Sequence, residues 1–252
     1  MVTSKTEADI ERMRESARIV AEVLRFLEKQ IHPGISTEEL DDLAEDFIQS
    51  SGGIPAFKVY GTDRHNLYPA SICVSVDDEV VHGIPGKRLL KEGEIVSVDV
   101  GVLKNRFFGD GAYTFAVGKI SEGKARLMRV TQESLDKGVE QAVEGNFLHD
   151  ISHAVQRHVE AAGFSVVRDL VGHGIGTELH EDPPIPNYGK PKTGLKLKEG
   201  MTLAIEPMVN FGLYKVVTAR DGWTIQTADG SPSAHFEHTV VVRKNKAEIL
   251  TK

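Results

Sequence analysis

The sequence predicts an α+β fold in which one plan, two helices followed by strands, is used twice. Three observations point to it. A helical pattern over the first fifty residues gives way to strand-like runs, and the same order returns near residue 124. Short motifs recur in the same order at nearly fixed spacing. Asp99 and Glu206, at matching positions, each close an apolar run.

Ile10, Met13, Ala17, Val20, Leu24, Leu27 and Ile31 alternate at three- and four-residue spacing and define one apolar helix face. Thr6 with Asp9 forms a capping-box pattern ahead of it, and His32-Pro33-Gly34 stops it. Ser36 with Glu39 caps a second helix through Leu40, Leu43, Phe47 and Ile48. Residues 71–76, 94–103 and 106–116, rich in Val, Ile and Phe, read as strands. A second helical block begins near Lys124, runs to Val143, breaks at Gly145 and resumes from Asp150 to Ala162. Strand patterns return at 164–171, 201–210, 213–218, 223–227 and 236–242.

The repeat is legible in the motifs. Leu90-Lys91-Glu92-Gly93 returns as Leu197-Lys198-Glu199-Gly200, an offset of 107 that also carries Asp99 onto Glu206. Gly34 is echoed by Gly145, and His82-Gly83-Ile84 by His173-Gly174-Ile175. The expectation is a single catalytic domain, 1–252, with halves near 1–120 and 121–252 whose acidic positions face each other across a pseudo-twofold axis.

A chain of 252 residues, 40% apolar and 27% charged, is ordinary for a globular protein able to bury one large core. A net charge of −7 with dispersed Lys and Arg argues against a nucleic-acid surface. Cys73 is the only cysteine, so no intramolecular disulfide is possible. The N-terminal stretch lacks an apolar core segment, and no run of 18 apolar residues occurs. A reducing, cytoplasmic setting and no membrane are the expectations.

The chemistry concentrates in carboxylates and histidines. With a two-residue hairpin turn at Lys104-Asn105, Asp99 would lie directly opposite Asp110 on an apolar strand pair. Like charges that close repel and lose hydration, which a cation, a shared proton or a different register would relieve. Glu206 and Glu237 sit in strand-like runs of the second half and mirror that pair. Four carboxylates balance two divalent ions, whereas burying them bare would cost several kcal/mol per ion. His173, between Gly172 and Gly174, suits a close backbone approach. Pro183 and Pro184 exclude a two-histidine helix at His180, and His149, His153 and His158 read as solvated helix residues. Oxygen-rich ligands with one imidazole suit Mn²⁺, Fe²⁺ or Co²⁺ more than structural zinc.

These segments together are recognisable. Val80-Val81-His82-Gly83-Ile84-Pro85, Asp99, Gly109-Asp110, Gly172-His173-Gly174-Ile175-Gly176, His180-Glu181-Asp182-Pro183, Ile205-Glu206-Pro207-Met208-Val209 and Phe236-Glu237-His238-Thr239 resemble the motifs of type I methionine aminopeptidases, in a bacterial-style short form. The resemblance covers nearly the whole chain. It implies the pita-bread (creatinase/aminopeptidase) fold, a curved antiparallel sheet with helices outside and an internal pseudo-twofold. It implies removal of the initiator methionine when the second residue is small, by water activated between two divalent ions (Mn, Fe(II) or Co, with Zn as an alternative). The implied metal ligands are Asp99, Asp110, His173, Glu206 and Glu237, with Asp110 and Glu237 bridging. Glu206 would also serve as general base, His180 would stabilise the oxyanion, and His82 would contact the scissile amide or leaving group. Tyr68, Cys73, Leu179 and Trp223 match the methionine pocket. The implied partners are nascent polypeptide N-termini at the ribosome, and the implied state is a monomer.

Three features depart from the family pattern. Leu179 stands where many members carry an aromatic, and Asp77 where Asn is usual. Residues 62–67 form an apparent insertion of about five residues, polar and bounded by Gly61 and Pro69, expected as a surface loop beside the pocket and a candidate lid. Proline-directed peptidases are a rival reading. They carry Glu-Pro-Gly where this chain has Glu206-Pro207-Met208. A non-catalytic binding protein or a metal store would not need His82 and His180 beside all five ligands.

Overall fold

In the computed structural model, residues 2, 4–61 and 63–252 are described; Met1, Thr3 and Thr62, the last part of the loop singled out above, lie outside them. The first half runs α1 (Glu7–Glu28), α2 (Thr37–Ser50), β1 (Ile54–Pro55), β2 (Cys73–Val76), β3 (Glu79–Val81), β4 (Ile95–Lys104) and β5 (Phe107–Ala116). The second runs α3 (Glu122–Gln141), α4 (Leu148–Ala161), β6 (Ser165–Val166), β7 (Val171–Gly174), β8 (Glu181–Pro186), β9 (Thr202–Ile205) and β10 (Met208–Asn210). It ends with β11 (Val216–Thr218), β12 (Ile225–Thr227), β13 (Ser233–His235), β14 (His238–Val241) and β15 (Glu248–Ile249). Both expected capping boxes form, Thr6 with Asp9 and Ser36 with Glu39. Every strand pair is antiparallel.

Corresponding hydrogen bonds recur in the two halves. Gly34 N–H donates to the Leu90 carbonyl (2.8 Å) and Gly145 N–H to that of Leu197 (3.0 Å). The return bonds match as well, from Leu90 N–H to Ile35 O and from Leu197 N–H to Asn146 O, both 2.8 Å. In the first half β5, β2 and β1 flank β4; in the second, β14 and β7 flank β9, while β13 and β6 flank β10. At the junction, Thr239 Oγ1 accepts from Asp110 N–H (3.0 Å) and donates to Asp110 O (2.8 Å). Thr114 does the same for His235, at 2.9 and 2.7 Å. Thr114 and Thr239 are therefore dyad mates, and so are Asp110 and His235.

That symmetry corrects two expectations. Registers Asp99↔Ala112 and Ile205↔His238 put Glu206 across from Glu237, in the gap between two ladders, and make Ala112 the mate of Glu237. Asp99 and Glu206 do match, but the second pair of carboxylates does not mirror the first. His173 faces Ala204 as Ser75 faces Ser97, so Ser75 is its counterpart. The echo between His82 and His173 is coincidental. His82 and His180, each seven residues beyond those matched positions, are the corresponding histidines.

The β4–β5 hairpin is also corrected. Its turn is Asn105-Arg106, both at positive φ (50° and 72°), and Asp110 lies opposite Gly101. A register shift of two residues preserves the face. Asp99 and Asp110 thus still share one face, now as diagonal neighbours. The runs at 201–210 and 236–242 are each broken at the acidic residue, and β8 forms despite Pro183, Pro184 and Pro186 because it is an edge strand.

The helices lie outside the strands. A Cβ at Gly109 of β5 would come within 2.6 Å of the Ala17 backbone nitrogen, so glycine there lets α1 lie directly on the hairpin. The apolar faces of α1 and α2 pack on β2, β4 and β5, and those of α3 and α4 on the second-half strands. A third apolar cluster, with Phe57, Tyr68, Cys73 and Leu179, sits between the halves beside the acidic residues.

Candidate metal centre and substrate cavity

The strand registers bring all five expected ligands to one cavity of about 270 Å³, lined by Asp99, Asp110, His173, Glu206 and Glu237 on one side. Asp110, His173 and Glu237, all buried, place one ligand atom each within 4.8 Å of one another. Glu206 Oε1 is 3.6 Å and Asp110 Oδ2 3.9 Å from His173 Nε2. Asp99 touches Asp110 through its side chain.

His173 is set up as a ligand by its neighbours. A Cβ on Gly172 would come within 2.4 Å of Ala204 O, and one on Gly174 within 2.1 Å of Asp182 O, so only glycine permits this strand to be squeezed between β8 and β9. Nδ1 lies 2.9 Å from Gly174 O, which can only accept. Nδ1 therefore carries the proton, and Nε2 turns its lone pair toward the carboxylates.

Burial disfavours charge throughout this cluster. Loss of hydration raises Asp99 to about 7 and Glu206 to about 8, and pushes Asp110 and Glu237 up as well, with the neighbouring carboxylates adding to the rise at Asp99, Asp110 and Glu237. Burial lowers His173 to about 3 and His82 to about 4, so both imidazoles are neutral. Asp99 Oδ1 and Glu237 Oε1 are buried with no hydrogen-bond partner among the described residues. Buried carboxylate oxygens without donors, facing a neutral imidazole lone pair, are the donor set a divalent cation completes.

The rest of the lining is apolar and aromatic, and it begins beside Asp99, whose cross-strand neighbour is Cys73. Phe57, Tyr68, Cys73, Trp223 and Met208 form it. Tyr68 stands edge-on to Trp223 (centroids 5.3 Å apart) and to Phe57 (6.5 Å). Its hydroxyl donates to Gly83 O (2.8 Å), which ties the wall to the turn carrying His82. Burial raises the Cys73 thiol well above its ordinary value, so it remains an uncharged wall group. Leu179 does not line the cavity; it is buried behind the wall, in the cluster with Phe57 and Tyr68.

His82, just after β3, and His180, just before β8, complete the lining. His82 adopts φ 58°, a left-handed conformation rare for a non-glycine residue. The His180 ring lies 4.3 Å from that of His173.

Sequence reasoning missed two neighbours. His235 is fully buried, its ring nitrogens have no hydrogen-bond partner among the described residues, and Nε2 is 3.6 Å from Glu206 Oε2. Its place two residues before Glu237 was the available signal. Tyr60, whose hydroxyl hydrogen-bonds His180 Nδ1, had none beyond its position next to the insertion. The helix histidines are half-buried rather than solvated: His149 Nδ1 meets Thr193 Oγ1 at 2.9 Å, and His158 Nε2 meets Glu133 at 3.0 Å. Asp77 accepts from Lys124 Nζ at 2.6 Å.

The model of metallopeptidase family M24 matches residues 11–244. The chain is 55% identical to a methionine aminopeptidase of Clostridium acetobutylicum, covering 100% of this chain and 99% of that one. It is 52% identical to methionine aminopeptidase 1 of Bacillus subtilis, covering 100% of both. The solved methionine aminopeptidase of Thermotoga maritima is 49% identical and superimposes with a TM-score of 0.97 over 100% of both chains. The prolidase of Pyrococcus furiosus, 23% identical, superimposes with a TM-score of 0.79 over 99% of this chain and 65% of that one, and shares the pita-bread fold.

Proposed function

This chain belongs to metallopeptidase family M24 and, within it, to the methionine aminopeptidases, and from that premise we propose how its residues divide the work of removing an N-terminal methionine. One observation carries the reading: Asp99, Asp110, His173, Glu206 and Glu237 line the same cavity as Phe57, Tyr68 and Trp223. Asp99, Asp110, His173, Glu206 and Glu237 would hold the divalent ions. When bound, the ions supply Lewis-acid polarisation and bring the pKa of a shared water toward neutrality.

The remaining work falls to side chains. Glu206 accepts the proton of the attacking water and passes it to the leaving amine. His180 donates to the oxygen that gains charge, and His82 contacts the scissile amide. The free amine of the substrate lies toward Asp99. The methionine side chain packs between Tyr68, Cys73 and Trp223, where an unbranched thioether suits an aromatic wall. The narrow approach past His82 and His180 excludes a large second residue by steric clash.

The oxygen-rich donor set favours Mn²⁺, Fe²⁺ or Co²⁺ and tolerates Zn²⁺. The substrates are nascent polypeptide N-termini, met at the ribosome without nucleic-acid readout, and the working form is a cytoplasmic monomer. Among the described residues no helix is long and apolar enough to cross a membrane. The test is demetallated protein reconstituted with each ion and assayed on Met-Gly and Met-Leu peptides, with metal content measured in parallel. The expected result is no activity without metal and cleavage of Met-Gly far ahead of Met-Leu. Full activity of metal-free protein, or equal rates on both peptides, overturns the reading.

A further inference from the structure

Two imidazoles stand side by side in the cavity with different partners at Nδ1. That of His173 faces a carbonyl, which can only accept, so its Nε2 is a bare lone pair suited to a cation. That of His180 faces the Tyr60 hydroxyl. A phenol has one acidic proton and a lone pair partly delocalised into its ring, so it is a better donor than acceptor. We propose that Tyr60 is a positioning residue that holds neutral His180 in the tautomer with its proton on Nε2, which sorts adjacent histidines into one ligand and one hydrogen-bond donor. This rests on the reading of His180 as the donor to the developing oxyanion.

The geometry supports a fixed partner rather than a passing contact. Tyr60 N–H donates to Phe57 O, and Tyr60 O accepts from Tyr68 N–H, both at 2.8 Å. The neighbouring Val59 and Gly61 adopt left-handed backbone conformations (φ 61° and 135°), and Gly61 lies against the Trp223 ring. The Tyr60 and His180 rings are 5.1 Å apart. His180 Nε2 has no hydrogen-bond partner among the described residues, so its proton is free to meet a substrate oxygen. The opposite tautomer would present a lone pair there. It could not donate to an oxyanion, and beside His173 it would compete for metal.

The experiment uses the Zn²⁺-loaded enzyme, diamagnetic and so readable by ¹⁵N NMR of histidine-labelled protein, with His180→Ala identifying the His180 signals. Wild type should show His180 protonated at Nε2 and bare at Nδ1. Tyr60→Phe should give a tautomer mixture, with kcat down about three- to tenfold, as expected for the loss of one net hydrogen bond. KM and bound metal should stay within about twofold of wild type, the spread left by a single weak contact. A wild-type His180 protonated at Nδ1, or a Tyr60→Phe enzyme with unchanged tautomer and kcat, overturns the proposal. If His180→Ala leaves kcat unchanged, the donor reading of His180 has failed, and the spectrum still reports whether Tyr60 sets the tautomer.

Discussion

Thr239→Val tests whether the junction between the halves holds a ligand in place. Thr239 is fully buried, and its hydroxyl satisfies both backbone groups of Asp110, accepting at 3.0 Å and donating at 2.8 Å. Valine has nearly the same shape, so no cavity opens and the loss is polar. One buried N–H and one buried carbonyl lose their partner, at about 1–3 kcal/mol for the first and somewhat less for the second. The expected destabilisation is about 2–4 kcal/mol, or roughly 5–15 °C in Tm for a chain of this size. Thr114→Val should cost a similar amount, because Thr114 serves His235 in the same way and also meets Ser97 Oγ at 2.8 Å. Thr239→Val should also weaken divalent-ion binding, because it loosens Asp110, an expected ligand. Urea unfolding of the metal-free variants, with calorimetric titration of Mn²⁺, reads both effects. A stability loss under about 0.5 kcal/mol for Thr239→Val, below any single buried hydrogen bond, would refute the reasoning.

Three further outcomes follow from the cavity. His180→Ala should lower kcat by roughly 10²–10³ with bound metal unchanged; metal loss in that variant would make His180 a ligand instead. His235→Leu should weaken metal binding about 10- to 100-fold by removing the ring beside Glu206, and an unchanged titration would leave that ring as packing. Asp99 and Glu206, at about 7 and 8, are acids raised on folding. Their stabilising contribution is full below the unfolded value of about 4 and is lost as pH rises through the folded values. Chelator-treated protein should therefore melt lower at pH 8.5 than at pH 5.5, and divalent ions should close the gap; a flat or reversed trend contradicts this.

The readable parts of the chain were those governed by local rules. Capping boxes at Thr6 and Ser36 and the apolar face from Ile10 to Leu27 follow from helix geometry alone, and both are found. The hairpin was assigned to the right strands with the wrong turn. Arg106 in a left-handed conformation carries none of the glycine signal that marks such turns. The breaks at Glu206 and Glu237 went unread, although Pro207, which has no N–H to give a ladder, directly follows Glu206. β8 was masked by prolines that only an edge position tolerates. His235 and Tyr60 depend on contacts 29 residues and more apart in sequence, as with His235 and Glu206 or Tyr60 and His180, which no periodicity reports.

The pseudo-twofold bears on direction. A peptide runs from amine to carboxylate, and a pocket with true twofold symmetry offers two indistinguishable ways to lie in it. The halves differ in the connection between β1 and β2, which has a far shorter counterpart between β6 and β7. They differ still more between β10 and β13, whose counterpart is the two-residue turn at Asn105-Arg106. Those two unmatched segments carry Phe57, Tyr60, Tyr68 and Trp223, the aromatic side of the cavity. The duplicated frame gathers charge at the dyad without sensing polarity. The additions on one side of it give the chain end a head and a tail, so a centre built by doubling can tell the first residue of a polypeptide from any other.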